Sequence, residues 1–369
     1  MLKKIFLIAI FLFLLPVGGQ AQTAQANVSG RADKIFKARV LKILEEKRAE
    51  KKSSDFTQQK LELKVLEGEF KGETIIFNGI GEVVAANSKV YKKGDKVLVA
   101  AVHDHKGNVN YYITDYVRSG ALGWLLVLFV LALLAVGRLK GLKALISLFL
   151  TFFLIIKFII PGILGGSNAL IITIAGSALI LLAVIYITEG FKQVSHISVF
   201  SILISLTLVF FLSWIFMEIA YLTGLSGENI LPLVSLGEKN INFQGLLLAG
   251  ILIGSLGVLD DVVVSQVTTV KEITETDPYQ TKGEIFKKGH RVGVSHISSM
   301  VNTLFLAYAG VSLPLLLLFV SGSSAFPSWW HIINNGAVAT EIVRTLVGSI
   351  GIILSVPIST ALAVWWYKR

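Results

Sequence analysis

The chain reads as a polytopic α-helical membrane bundle of about seven spans, preceded by a small extracytoplasmic all-β domain of the OB- or SH3-like barrel or sandwich type. Three observations predict this. Of the 369 residues 54% are hydrophobic and 16% charged, more apolar than an ordinary soluble domain. Residues 31–117 alternate short apolar runs with charged turns, whereas from Leu122 onward long apolar segments follow one another. Cysteine is absent, which excludes disulfides, Cys-based metal sites and thiol catalysis.

Lys3 and Lys4 precede the apolar run Ile5–Leu15, and small residues follow at Gly19 and Ala21. This is the layout of a secretory signal peptide over residues 1–21, with an uncleaved anchor as the other reading. In residues 31–117, strands are expected at Phe36–Leu44, Leu61–Leu66, Thr74–Asn78, Lys96–Val102 and Asn110–Tyr116, separated by Gly-, Asn- and Asp-containing turns. The mixed-charge stretch Glu45–Asp55 is expected as a solvated loop. His103, Asp104 and His105 lie beside a turn with no further obvious ligand, so no metal site is assigned to them.

Spans are expected at about 121–137, 142–161, 168–188, 194–223, 244–270, 292–320 and 341–367, each long enough to cross a bilayer. Arg138, Lys140, Lys143, Lys192, Lys271, Lys282, Lys287, Lys288, Arg291, Lys368 and Arg369 then fall on one side. The positive-inside rule places the β domain outside the cytoplasm and the C-terminus inside, in a bacterial inner or plasma membrane. That distribution accounts for the net charge of +10 without a nucleic-acid partner.

The costliest stretch is Gly245–Thr269, where two adjacent carboxylates interrupt a membrane-spanning segment; on insertion scales each adds roughly 2.5–3.5 kcal/mol near the centre. Helical spacing gathers Gly250, Gly254, Gly257, Asp261, Ser265 and Thr268 on one stripe. Asp260 points about 100° away, so Asp261 is the expected working carboxylate. Counted from assumed inner edges at Val270 and Val292, Asp261 lies about 13 Å deep and Asn302 about 15 Å. Ser265, Ser299, Asn302 and Ser355 are the expected lining of a polar path, with Pro357 freeing a carbonyl on the last span. His196 and His296, at the cytoplasmic edge, are candidate proton relays as well as ordinary interfacial anchors. Lys157, Glu218, Glu341 and Arg344 fall near the outer ends of their spans, where pairing, snorkelling or gating are the open readings.

Val-Ser-His-Ile-Ser occurs at Val194–Ser198 and again at Val294–Ser298, and Gly-Ser recurs at Gly176, Gly254 and Gly348. This suggests repeated two-helix units, of which only the central copy carries the acidic pair; close packing by small residues explains the same echoes more simply. The metalloprotease, nucleophile-elbow, P-loop and dinucleotide motifs are missing. Sequence-adjacent aspartates point apart and cannot share a proton as an aspartyl protease requires. No enzymatic activity, cofactor or metal is expected.

The segments Gly257–Val262 with Ser265, Val301–Gly310 running into Leu313–Leu318, and Gly348–Gly351 with Val356–Ser359 resemble the YibE/F-like bacterial membrane proteins. The resemblance implies a signal or anchor, an extracytoplasmic β domain and a multi-span bundle. The expected function is that of a transporter or permease in which a buried aspartate binds a proton, a cation or substrate. Its expected partners are the lipid bilayer and a small solute or ion. The competing expectation is a membrane-anchored scaffold or sensor that meets a cell-envelope protein through residues 31–117.

Overall fold

The computed structural model describes residues 34–51, 54–68, 70–80, 90–103, 109–226, 241–321 and 328–368. The expected signal segment 1–21, and Asp104 and His105, lie outside them. By internal contacts the chain divides at Ala132/Leu133, and the two units are described separately.

The first unit holds β1 (Lys34–Lys51), β2 (Ser54–Val65), β3 (Thr74–Asn78), β4 (Lys96–His103) and β5 (Val109–Tyr116). They form one sheet in the order β3-β2-β1-β4-β5, with every neighbouring pair antiparallel. Alternation decides the inner face: Phe36, Ala38 and Val40 from β1, Leu61, Leu63 and Val65 from β2, and Val97, Val99 and Ala101 from β4 are all buried. Fully burying a leucine such as Leu61 or Leu63 contributes about 1.5–3 kcal/mol. Contacts between β3 and β5 curl the sheet into a half-barrel.

The five expected strands are present, and one expectation fails. Glu45–Asp55 is no loop: β1 and β2 stay paired from Glu45↔Lys60 to Lys51↔Ser54, so the charged run is a two-stranded ribbon. Its charges obscure the strand pattern, since Glu45, Glu46 and Lys47 in succession show no apolar alternation.

Among the described residues, the helices are α1 (Ser119–Leu154), α2 (Ile160–Leu164), α3 (Ala169–Thr188), α4 (Gln193–Ile219), α5 (Phe243–Thr276), α6 (Lys282–Val311), α7 (Leu313–Val320), α8 (Trp329–Ile333) and α9 (Gly336–Tyr367). A π-helical turn, Ile155–Ile159, joins α1 to α2. Five stretches are long and apolar enough to cross a membrane: Ser119–Leu164, α3, α4, α5 and α9. The first has 46 residues, about 69 Å of helix and more than twice the hydrocarbon thickness. It is broken at Arg138, whose φ of 48° is non-helical. Gly141 there lies against the Leu133 carbonyl, an approach that eight residues of unbroken helix, about 12 Å, would forbid. The expected spans 121–137 and 142–161 both fall within this stretch.

The expected span 292–320 departs most from expectation. Helix α6 starts ten residues earlier, at Lys282, and ends at Val311; α7 begins at Leu313, with Pro314 in its first turn. This expected span is therefore broken at Ser312. Helix α9 continues unbroken through Pro357.

In the second unit α5 packs on α3, α4, α6 and α9, and α9 packs on α4, α5 and α6. Close contacts set the register. A Cβ at Gly245 of α5 would lie 3.5 Å from that of Ala169, and one at Gly348 of α9 would lie 3.6 Å from Ser255 Oγ. Hence α3, α5 and α9 run the same way. The serines that follow the recurring glycines, Ser177, Ser255 and Ser349, are all buried, one on each of these helices. Helix α6 runs against α5 and α9, and glycine permits its approach: a side chain at Gly293 would collide with Val356, and a Cβ at Gly289 would come within 2.9 Å of Val270.

Candidate functional site

The carboxylates on α5 divide as helical geometry requires, with the opposite assignment from the one expected. The interior side of α5 is Leu252, Ser255, Leu259, Val262, Val263, Gln266 and Val270, all buried. The stripe of Gly250, Gly257, Asp261, Ser265 and Thr268 lies on the exposed side, and nothing stands within 4 Å of a Cβ built at Gly250 or Gly257. Asp260 turns inward. Its Oδ1 is buried with no hydrogen-bond partner among the described residues, and Asp261 and Glu189 are charged groups whose fields reach it.

Its depth also differs from the count. With Gly245 beside Ala169, Asp260 stands level with Val184, each fifteen residues further along its helix. That is four residues, roughly 6 Å, from the Thr188 end of α3, and roughly 22 Å from the Gly245 end. The acidic pair therefore sits in the last third of the α3–α5 contact, toward Thr188, not at its centre.

The other expected lining residues are not brought together with it. Ser299 and Asn302 are exposed on α6, away from the face that Ile297, Met300, Leu304 and Tyr308 turn toward Val258, Val262 and Ile352. Ser265 is exposed, whereas Ser355 is fully buried and donates to the Ile352 carbonyl at 2.8 Å. His196 is half-buried and shares a 2.8 Å hydrogen bond between its Nδ1 and the Tyr186 hydroxyl; His296 is exposed. Of the charges expected near the outer ends, Glu341 and Arg344 pair at 2.9 Å, and Arg344 lies 6.0 Å from the centre of the Tyr308 ring. Glu341 Oε2 and Arg344 Nε are buried without partners among the described residues. Lys157 and Glu218 are exposed and take no part in this cluster.

Sequence reasoning missed Gln266. It is 3% exposed, and its Nε2 donates to the Gly289 carbonyl and to Thr360 Oγ1, each at 2.8 Å. One amide thus joins α5, α6 and α9 in a setting where hydrocarbon offers no alternative partner. The signal was available: Gln266 continues the three- and four-residue spacing of Leu252, Ser255, Leu259 and Val263.

The β domain has its own candidate feature, an open cleft of roughly 440 Å³ lined by Val90, Lys92, Asp95, Tyr116 and Arg118. Tyr91, between the lining residues Val90 and Lys92, is held by Gln59, 4% exposed, which accepts from the Tyr91 amide at 2.8 Å and donates to the Tyr91 carbonyl at 3.2 Å. Tyr91 packs on Tyr116 with ring centres 5.0 Å apart. Burial, then the nearby Tyr116 and Asp115, push the Tyr91 phenol up to about 12. The hydrogen bond from Arg118, 2.7 Å long, holds the Asp115 carboxyl below its usual range.

Two family descriptions match the chain: YibE/F-like protein over residues 125–369, and YibE/F family N-terminal domain over residues 33–116. The chain belongs to the YibE/F-like family. Membership accords with the architecture, a β domain followed by apolar helices of membrane-spanning length. No curated protein and no solved structure matches it. Family and helices together make this a membrane protein.

Proposed function

We propose that this membrane protein is a transporter or permease for a small solute or ion, with the Asp260–Asp261 pair as its proton- or cation-binding element. The observation that carries the reading is the buried, unpartnered Oδ1 of Asp260 on a helix otherwise suited to span a bilayer. A carboxylate oxygen so placed is stabilised by a proton, a cation or water, and acids are retained in such segments mainly where something polar passes. The missing catalytic motifs favour transport over catalysis. The clustering of basic residues in alternate loops supports a bacterial inner or plasma membrane, with the β domain extracytoplasmic and the C-terminus cytoplasmic.

The test is ion or proton flux in proteoliposomes. Asp260→Asn is expected to abolish flux and Asp261→Asn to reduce it; flux unchanged in both variants would falsify the reading.

The β-domain cleft favours a second reading, in which residues 31–117 meet a cell-envelope partner and the bundle serves as anchor. Deleting those residues and substituting Asp260 in the same phenotypic assay separates the two. A more severe loss from the deletion supports the scaffold or sensor.

A further inference from the structure

The first three turns of α6 carry a charged surface that the proposed transport role does not use. Lys287, Lys288 and Arg291 are exposed and lie within an arc of about 100°. Among the described residues none of them is in an ion pair. Of the acids at this end of the molecule, Glu284 lies one turn before Lys288 within reach of its charge, and Glu272 is exposed on α5. Glu284 closes the capping box with Thr281, Glu275 pairs with Lys271 at 3.6 Å, and Asp277 accepts from the Tyr279 amide at 3.2 Å.

The opposite face of the same turns is immobilised. Ile285, Gly289 and Gly293 are buried, and the Gly289 carbonyl is the acceptor for Gln266. The three cations therefore stand at a fixed height on a helix that continues directly into the apolar segment. Above them on the same face come the exposed Val294 (49%) and Phe305 (42%), with the exposed Ser298 and Asn302 between the two. Arg291 and Phe305 are 14 residues apart, roughly 21 Å of helix and close to the length of one acyl chain.

We propose that Lys287, Lys288 and Arg291 form a headgroup site for an anionic phospholipid, whose phosphate lies among the three cations while an acyl chain lies along Val294 and Phe305. A phosphate with apolar tails matches both parts of this face. A soluble anion matches only the charged part, and a nucleic acid has nothing to lay along the apolar part. The site is independent of what the Asp260–Asp261 pair does.

The test uses the full chain in phosphatidylcholine vesicles and spin-labelled phosphatidylglycerol as probe, read as the motionally restricted lipid fraction. The native chain is expected to prefer the anionic probe over spin-labelled phosphatidylcholine. Each cation replaced by glutamine should cost about fivefold in relative affinity, since each is worth about 1 kcal/mol near the surface. Arg291→Lys is expected to keep the preference, and a triple glutamine variant at Lys92, Lys93 and Lys96 in the β domain should leave it unchanged. Equal restriction of the two probes, a preference that survives the Lys287, Lys288 and Arg291 triple variant, or displacement by inorganic phosphate alone would each overturn the proposal.

Discussion

Val194–Ser198 and Val294–Ser298 spell the same five residues and live in different surroundings. In α4 the pentapeptide opens the helix: Val194, Ser195, Ile197 and Ser198 are buried, Ser195 donates to the Gly190 carbonyl at 2.5 Å, and His196 bonds Tyr186. In α6 it begins twelve residues into the helix, where Val294, Ser295, His296 and Ser298 are exposed and only Ile297 turns inward. Both copies aim isoleucine at the bundle, as a common helical phase requires. The difference lies in their neighbours: α4 packs on α3, α5 and α9, whereas α6 packs on α5 and α9 and has its far side open. Identical residues thus specify a helix and its phase, while the number of packed faces comes from the rest of the chain.

The comparison can be broken at a point where α6 is firmly held. Gln266→Leu removes both interhelical hydrogen bonds, those to the Gly289 carbonyl and to Thr360 Oγ1. It is expected to lower stability by about 2–3 kcal/mol, read by thermal unfolding in detergent or nanodiscs. A direct test exchanges the matched serines. Ser198→Leu, at a site with no exposure, should cost about 1–2 kcal/mol by overpacking, and Ser298→Leu should stay within about 0.5 kcal/mol of the native chain. Equal costs would mean that the two copies share an environment after all. The histidines follow: His196→Phe loses the Tyr186 bond and about 0.5–1.5 kcal/mol, while His296→Phe has no such bond to lose.

The smallest effect concerns how the two helices start. Helix α4 has no side-chain cap, whereas the hydrogen bonds that Glu284 accepts from Thr281 hold its carboxyl below the usual value. A depressed carboxyl contributes stability above its unfolded value, about 4.3, and loses it as pH falls through the lower folded value. Amide protection in the first turn of α6, taken relative to the intrinsic exchange rate at each pH, should therefore fall on acidification below pH ~4. Glu284→Gln should remove that pH dependence, and the start of α4 should show none.

The β strands were legible because alternation carries face and burial together, and the apolar helices were legible because bilayer length is written in composition. The orientation of α5 was not. Its wheel correctly separated Asp261 from Asp260, yet both sides of the helix mix small and polar residues, so the wheel could not say which side the neighbouring helices cover. Contacts made by residues far along the chain, Gly289, Val356 and Thr360, decide that Gln266 and its stripe face inward. The ribbon at Glu45–Asp55 escaped for a related reason. Its strands are held by each other's backbone, and composition reports burial rather than pairing.

Helices α5 and α6 continue past the level where α3 ends, and they turn back at Asp277–Thr281 with Tyr279 95% exposed. By the register with α3, Thr188 stands level with Val264, so twelve further residues of α5, roughly 18 Å, project as a stalk. Lys368 donates to the Pro278 carbonyl and ties the end of α9 to the tip of that stalk. Because the chain has no native cysteine, a single thiol placed at Tyr279 and probed with a membrane-impermeant reagent from either face of a vesicle would act as a flag, reporting in one labelling step on which side of the bilayer the stalk and the end of α9 both lie.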